Sequence, residues 1–142
     1  MKTIMTKFKI LAKFIKDMSS ETKDALTYLF VKDNISKYHL NIDITSKPHK
    51  NKLIEINTTL KFEDKEPNEN RSHFEIIYAT IVKIDEEVKD KKELEKIILC
   101  DIQNEIYPNI EKAFLNLLND SGFEGVSFKK VDFNKLYNER FN

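Results

Sequence analysis

Apolar side chains recur with one period in the first half of this chain and another in the second. From Phe8 to Ile84 the dominant period is two, the mark of half-buried strands. Phe8, Ile10, Ala12 and Phe14 are placed on one face of a short first strand. His39–Thr45 carries Leu40, Ile42 and Ile44 inward, and Leu53–Phe62 carries Ile54, Ile56, Thr58, Leu60 and Phe62 on one face. Phe74–Ile84 differs, with Ile76, Tyr78 and Val82 facing one way and Ile77, Ala79 and Ile81 the other. Such a strand must be covered on both sides. One helix layer covers one face, so the other is expected to meet a second copy of the chain. Lys16–Glu21 and Ser46–Asn51 read as turns, residues 22–38 as a loop holding at most a helical turn, and Glu63–Ser72 as a charged loop.

After Asp85 the period lengthens. Leu94, Ile98, Ile102, Ile106, Ile110, Phe114 and Leu118 recur at four-residue spacing, with Ile97 and Leu117 widening the stripe, which predicts a helix with a buried face. Asp90 followed by Glu93 suits its start, Pro108 predicts a kink or break, and Gly122 suits its end. Beyond Gly125-Val126-Ser127-Phe128, Asp132 is placed to cap a short helix burying Phe133, Leu136 and Tyr137. The expected fold is a single α+β domain over residues 1–142. A four-stranded antiparallel sheet comes first, and a long kinked helix with a short C-terminal helix packs on it as a second layer.

Composition narrows the function. The 24 basic and 24 acidic side chains balance, so the chain lacks the overall basic excess usual in nucleic-acid binders. Two glycines leave no material for a phosphate-cradling loop. The one cysteine excludes an intrachain disulfide, and no apolar run reaches membrane-spanning length. Lysines at 2, 7, 9 and 13 interrupt the amino-terminal segment, which therefore does not read as a signal peptide, and a cytoplasmic location is expected.

Candidate chemistry is sparse. His39, His49 and His73 lie in different predicted elements, without the spacing of zinc ligands. Cys100 could pair with a histidine as a nucleophile, but among Ile97, Ile98, Leu99 and Ile102 it reads as a small buried hydrophobe. No enzymatic constellation, metal or cofactor is expected. What stands out is the apolar surplus in the two-faced strand, the broad helical stripe and the segment 26–31. Part of it is expected to line an exposed groove able to take unfolded segments.

Several short motifs, in order and almost spanning the chain, resemble the SecB family of bacterial export chaperones. These are Phe8-x-Ile10 with Lys16-Asp17, Ser19 and Glu21; Phe30-Val31-Lys32-Asp33; Tyr107-Pro108-Asn109; Gly122-Phe123; and Val131 through Tyr137. Asn34 stands where the family usually has tryptophan, and His73 where it more often has an apolar residue. The resemblance implies a non-enzymatic chaperone that holds unfolded precursor proteins and passes them to the SecA motor ATPase. It further implies a homotetramer, a dimer of dimers, with no nucleic-acid partner. Asp17, Glu21 and Glu75 match the acidic positions that contact the motor. Leu26, Phe30, Leu40, Ile42, Leu94, Ile97 and Ile98 are candidates for the client groove, and Phe74, Ile76, Tyr78 and Ile102 for the oligomer interface. The alternatives are a SecB-like chaperone dedicated to one client such as an antitoxin, a small-ligand carrier with a closed pocket, and an inert scaffold.

Overall fold

The computed structural model describes residues 7–66 and 68–141, with side chains up to residue 139. The lead-in before Lys7, and Pro67 of the charged loop, lie outside the described residues. Strands β1 (Phe8–Glu21), β2 (Tyr38–Pro48), β3 (Leu53–Asp64) and β4 (His73–Ile84) form one antiparallel sheet in the order β1-β4-β3-β2. The β2–β3 ladder is regular from Tyr38 opposite Asp64 to Pro48 opposite Ile54. The alternation read in β3 holds: Ile54, Ile56, Thr58, Leu60 and Phe62 are all buried. β2 outruns its expected end, and the turn tightens over Lys50–Lys52, with Asn51 and Lys52 in the left-handed region at φ 63° and 60°.

β1 departs most from expectation. The expected turn at Lys16–Glu21 is strand, and the ladder to β4 is bulged between Ile10 and Ala12 and again between Ile15 and Asp17. A bulge inserts one residue and flips the side-chain alternation beyond it. Phe8 and Ile10 therefore share a face with Ile84 and Val82, whereas Ala12 and Phe14 pair with Ile81 and Ala79 on the opposite face. The segment read as a loop contains helix α1 (Ala25–Asp33), capped by Asp24, whose carboxylate accepts from the Thr27 N–H at 2.8 Å. Only Thr27 and Val31 of this helix are buried, too few to produce a legible stripe.

The long helix begins with α2 (Lys91–Lys96), where the Asp90 carboxylate accepts from the Lys92 N–H at 3.1 Å. It passes through a π-helical turn at Ile97–Asp101 and continues as α3 (Ile102–Asp120). The irregularity thus lies at the π turn, and α3 runs through Pro108, between buried Tyr107 and Ile110. At its end the Phe123 N–H bonds the Leu118 carbonyl at 2.9 Å and the Gly122 N–H bonds that of Asn119 at 3.1 Å, a Schellman closure with Gly122 at φ +94°. The buried side chains of Leu118 and Phe123 supply its apolar contact. Helix α4 (Phe133–Phe141) starts as expected, the Asp132 carboxylate accepting from the Lys135 N–H at 3.0 Å. It buries Phe133, but Leu136 is exposed and Tyr137 half-buried.

Helix and sheet meet over the two middle strands. Ile102, Ile106, Ile110, Phe114 and Leu118 join Ile56, Leu60, Phe74, Ile76 and Val82 in one core cluster. Inside it the fully buried Gln103 accepts a hydrogen bond from the Thr58 hydroxyl at 3.1 Å. Phe74, Ile76, Tyr78 and Ile102, expected at an interface between copies, belong to this core and are 0–9% exposed in the single chain. They present no surface to a partner. The edges are barer: Ile15 and Met18 of β1, paired with Tyr78 and Ile76 on the helix side, are each 45% exposed.

Gly122 carries a double constraint that Gly125 does not. Both have positive φ, yet a Cβ at Gly122 would sit 2.8 Å from the Tyr28 ring, whereas at Gly125 it would meet nothing within 4 Å. The Tyr28 hydroxyl donates to the Gly122 carbonyl at 2.6 Å, holding the ring in place. Gly125→Ala is expected to cost about 1 kcal/mol, the strain of the left-handed region alone. Gly122→Ala should cost clearly more, and urea unfolding of the two variants measures the difference.

Candidate functional site

Two surfaces carry the candidate residues, one on each side of the sheet. On the helix side, edge strand β2 forms part of a groove of about 1010 Å³. Leu40 and Ile42 project from β2 because they pair with Phe62 and Leu60 on the core face. Ile35 lies at one end, and Val126, Phe128, Val131 and Leu136 line it from the chain's last segment. Tyr38, Phe62, Phe74, Phe114 and Phe128 hold that segment on the sheet through aromatic pairs, Phe62 and Phe128 lying 5.5 Å apart edge-on. The groove continues toward a smaller apolar recess lined by Ile42, Ile44, Leu99, Phe133 and Leu136.

The structure brings together only some of the expected groove residues. Leu40 and Ile42 line it. Ile97 and Ile98 do not, because the π turn directs them into the core, where they are 2% and 8% exposed. Leu94 is half-buried against the same core. Leu26, 79% exposed, and Phe30 project from α1 toward solvent, outside the groove lining, with Leu29 beside them. Sequence reasoning missed Val126, Phe128, Val131 and Leu136 as groove residues. The available signal was apolar side chains spaced through a Gly-bounded loop that follows a helix stop.

On the outer face the three acids do converge. Register places Asp17 opposite Ile77, Ser19 opposite Glu75 and Glu21 opposite His73, so Asp17, Glu21 and Glu75 share one face of neighbouring strands. Asp17 and Glu21 are exposed and Glu75 half-buried. His73 Nε2 lies 3.4 Å from Glu75 Oε2. Further along this face Lys16, the residue inserted by the second bulge, donates to Glu55 Oε2 at 2.8 Å. Lys16 belongs to β1 and Glu55 to β3, so the lysine stem spans β4, where Ala79 is fully buried and Ile77 and Ile81 half-buried. The outward apolar residues of β4 are thus already largely covered within one chain.

Glu55 is the electrostatic centre of that network. The Lys16 ammonium, then the Asn57 amide at 2.9 Å and His49 Nε2 at 3.3 Å, hold its carboxyl at about 2, well below the usual 4.5. Cys100 is fully buried, and its thiol donates to the Phe133 carbonyl at 3.5 Å. Burial pushes that thiol up, the opposite of what a nucleophile needs. His39 lies half-buried in the groove lining, remote in register from His49 and His73. Among the described residues, no helix is long and apolar enough to cross a membrane.

An antiparallel sheet backed by a joined helix, with an apolar groove at its edge, is the layout of a SecB-like chaperone. The solved Mycobacterium tuberculosis SecB-like chaperone, in complex with a peptide from the HigA1 antitoxin, shares the fold at TM-score 0.64 and 10% identity, covering 89% of this chain and 91% of that one. The family model for the preprotein translocase subunit SecB matches residues 2–142, and the chain belongs to the SecB family of protein-export chaperones. It is 60% identical over 136 residues to the putative protein-export protein SecB of Pelagibacter ubique, covering 95% of this chain and 97% of that protein. It is also 20% identical over 127 residues to the protein-export protein SecB of Rhodospirillum rubrum, covering 89% of this chain and 78% of that protein.

The Glu55 network predicts an acid limb of stability. Because the folded-state carboxyl lies below its unfolded value, its contribution is fully present above about pH 4.5 and is lost as pH falls toward 2. Glu55→Gln should flatten the fall of the urea midpoint within that window and leave the neutral-to-alkaline side unchanged in slope.

Proposed function

We propose that this protein is a cytoplasmic chaperone that binds unfolded precursor proteins in the apolar groove, keeps them translocation-competent and delivers them to a SecA-type motor. The observation that carries this reading is the groove along β2, where partly exposed apolar side chains lie among charged ones such as Lys129, Lys135 and Glu139: Leu136 is 47% exposed, and Leu40, Ile42 and Phe128 are half-buried. An extended segment can place apolar anchors there without nucleotide or metal. A closed small-ligand pocket would need a buried lining, so the geometry favours a polypeptide over a small molecule. The export description of the 60% identical relative favours precursor delivery over service to one dedicated client.

The acids Asp17, Glu21 and Glu75, sharing one face of β1 and β4, support a docking surface for the motor. The half-exposed Ile15 and Met18 on the helix side of edge strand β1 support assembly into a dimer of dimers, which would cover them. Neither role requires a cofactor, a nucleic acid or a catalytic step.

Two experiments test the reading. Wild type should suppress aggregation of a denatured client, and Leu40→Asp with Leu136→Asp should lose most of that suppression while keeping the fold, because both side chains are partly exposed. Capture on the motor's C-terminal tail should fall about fivefold or less for each of Asp17→Lys and Glu21→Lys, and should weaken with salt. Equal capture of wild type and both variants would overturn the docking assignment.

A further inference from the structure

We propose that His73 is a proton-operated latch on the acidic outer face. Uncharged, it leaves Glu75 and Glu21 available to a basic partner; charged, it neutralises that end of the face and weakens docking. The inference rests on the reading above that Asp17, Glu21 and Glu75 receive a basic segment, and it adds the regulation of that surface.

The geometry carries it. His73 opens β4 with its register partner Glu21 on β1, and Glu75, two residues further on, projects from the same face. The ring nitrogen Nε2 stands 3.4 Å from Glu75 Oε2, so a proton there adjoins one acid of the docking face, and a second, Glu21, is the register partner on the neighbouring strand. The pair is only partly shielded, His73 being 49% and Glu75 19% exposed, so solvent protons and an incoming chain both reach it.

Its charged surroundings come from every neighbouring element. Lys61 of β3 pairs in register with Glu75. Around the adjoining cavity of about 790 Å³ stand Glu63 and Asp64 at the end of β3, Glu66 and Glu69 of the following loop, and the bases Lys23, Lys65 and Arg71. Imidazole is the side-chain type whose ordinary charge change falls between about pH 5 and pH 8. The other imidazole of this face, His49, belongs to the Glu55 network, away from the docking acids.

A tetralysine peptide serves as the basic probe, titrated at low salt at about pH 8 and about pH 5.5, on either side of the ordinary imidazole range. Binding retained by the Asp17→Lys, Glu21→Lys double variant is subtracted. Wild type should lose roughly two- to fivefold more affinity on acidification than His73→Gln, the size expected of one exposed charge contact. Thermal unfolding at both pH values checks that the variant, altered at a half-exposed position, remains folded. If wild type binds the peptide and both proteins weaken equally, the latch is wrong and the acidic docking face stands. If wild type shows no specific binding at the higher pH, the docking reading fails and takes the latch with it.

Discussion

A helix is narrower than the sheet it covers. One α-helix with its side chains is about 10 Å across, while four strands about 4.8 Å apart span well beyond that. The joined helix can therefore seal only two strands, and the order β1-β4-β3-β2 makes these β3 and β4. Their helix-side residues are buried without exception from Ile54 to Phe62 and from Phe74 to Ile84. Both edges are left short of cover. On the β2 side the chain's last segment supplies partial cover and leaves the groove; on the β1 side Ile15 and Met18 stay half-exposed. The groove follows from layer width, with no dedicated element built to form it.

The two faces of the sheet are chemically distinct. The helix side offers apolar contact along β2, non-directional and suited to chains of varied sequence. The outer side offers fixed charge on β1 and β4, with the apolar residues of β4 overlaid by the Lys16–Glu55 bridge and Phe14 of β1 left 45% exposed. Because adjacent residues of a strand point to opposite faces, a client and a partner could occupy the molecule together without competing for atoms.

Much of this was legible from the residues. The period-two runs located β2, β3 and β4, the caps Asp90 and Asp132 marked helix starts, and Gly122 marked the stop. The failures share a cause: each lay where local pattern does not encode register. A bulge costs one residue and leaves no compositional trace, so the faces of Ala12 and Phe14 were inverted. Helix α1 buries two side chains, below the threshold of a visible stripe. Ile97, Ile98 and the four apolar residues of β4 and α3 read as surplus because periodicity reports that a face is covered and is silent on whether the same chain covers it. For the acids, the resemblance grouped Asp17, Glu21 and Glu75, and strand pairing supplied the register that puts them on one face.

The π turn at Ile97–Asp101 has a consequence for angular phase. A stripe repeated every four residues in a helix of about 3.6 residues per turn drifts about 40° at each step, so Leu94 and Leu118 could not look the same way along a uniform rod. A wider turn near one end returns part of that accumulated rotation. It keeps Ile97 and Ile98 on the sheet and lets Cys100 reach the Phe133 carbonyl, fastening the last helix to the first stretch of the long one. Part of the rotational misfit of the repeat is thus relieved in a single turn, and that turn is where the far end of the chain is moored.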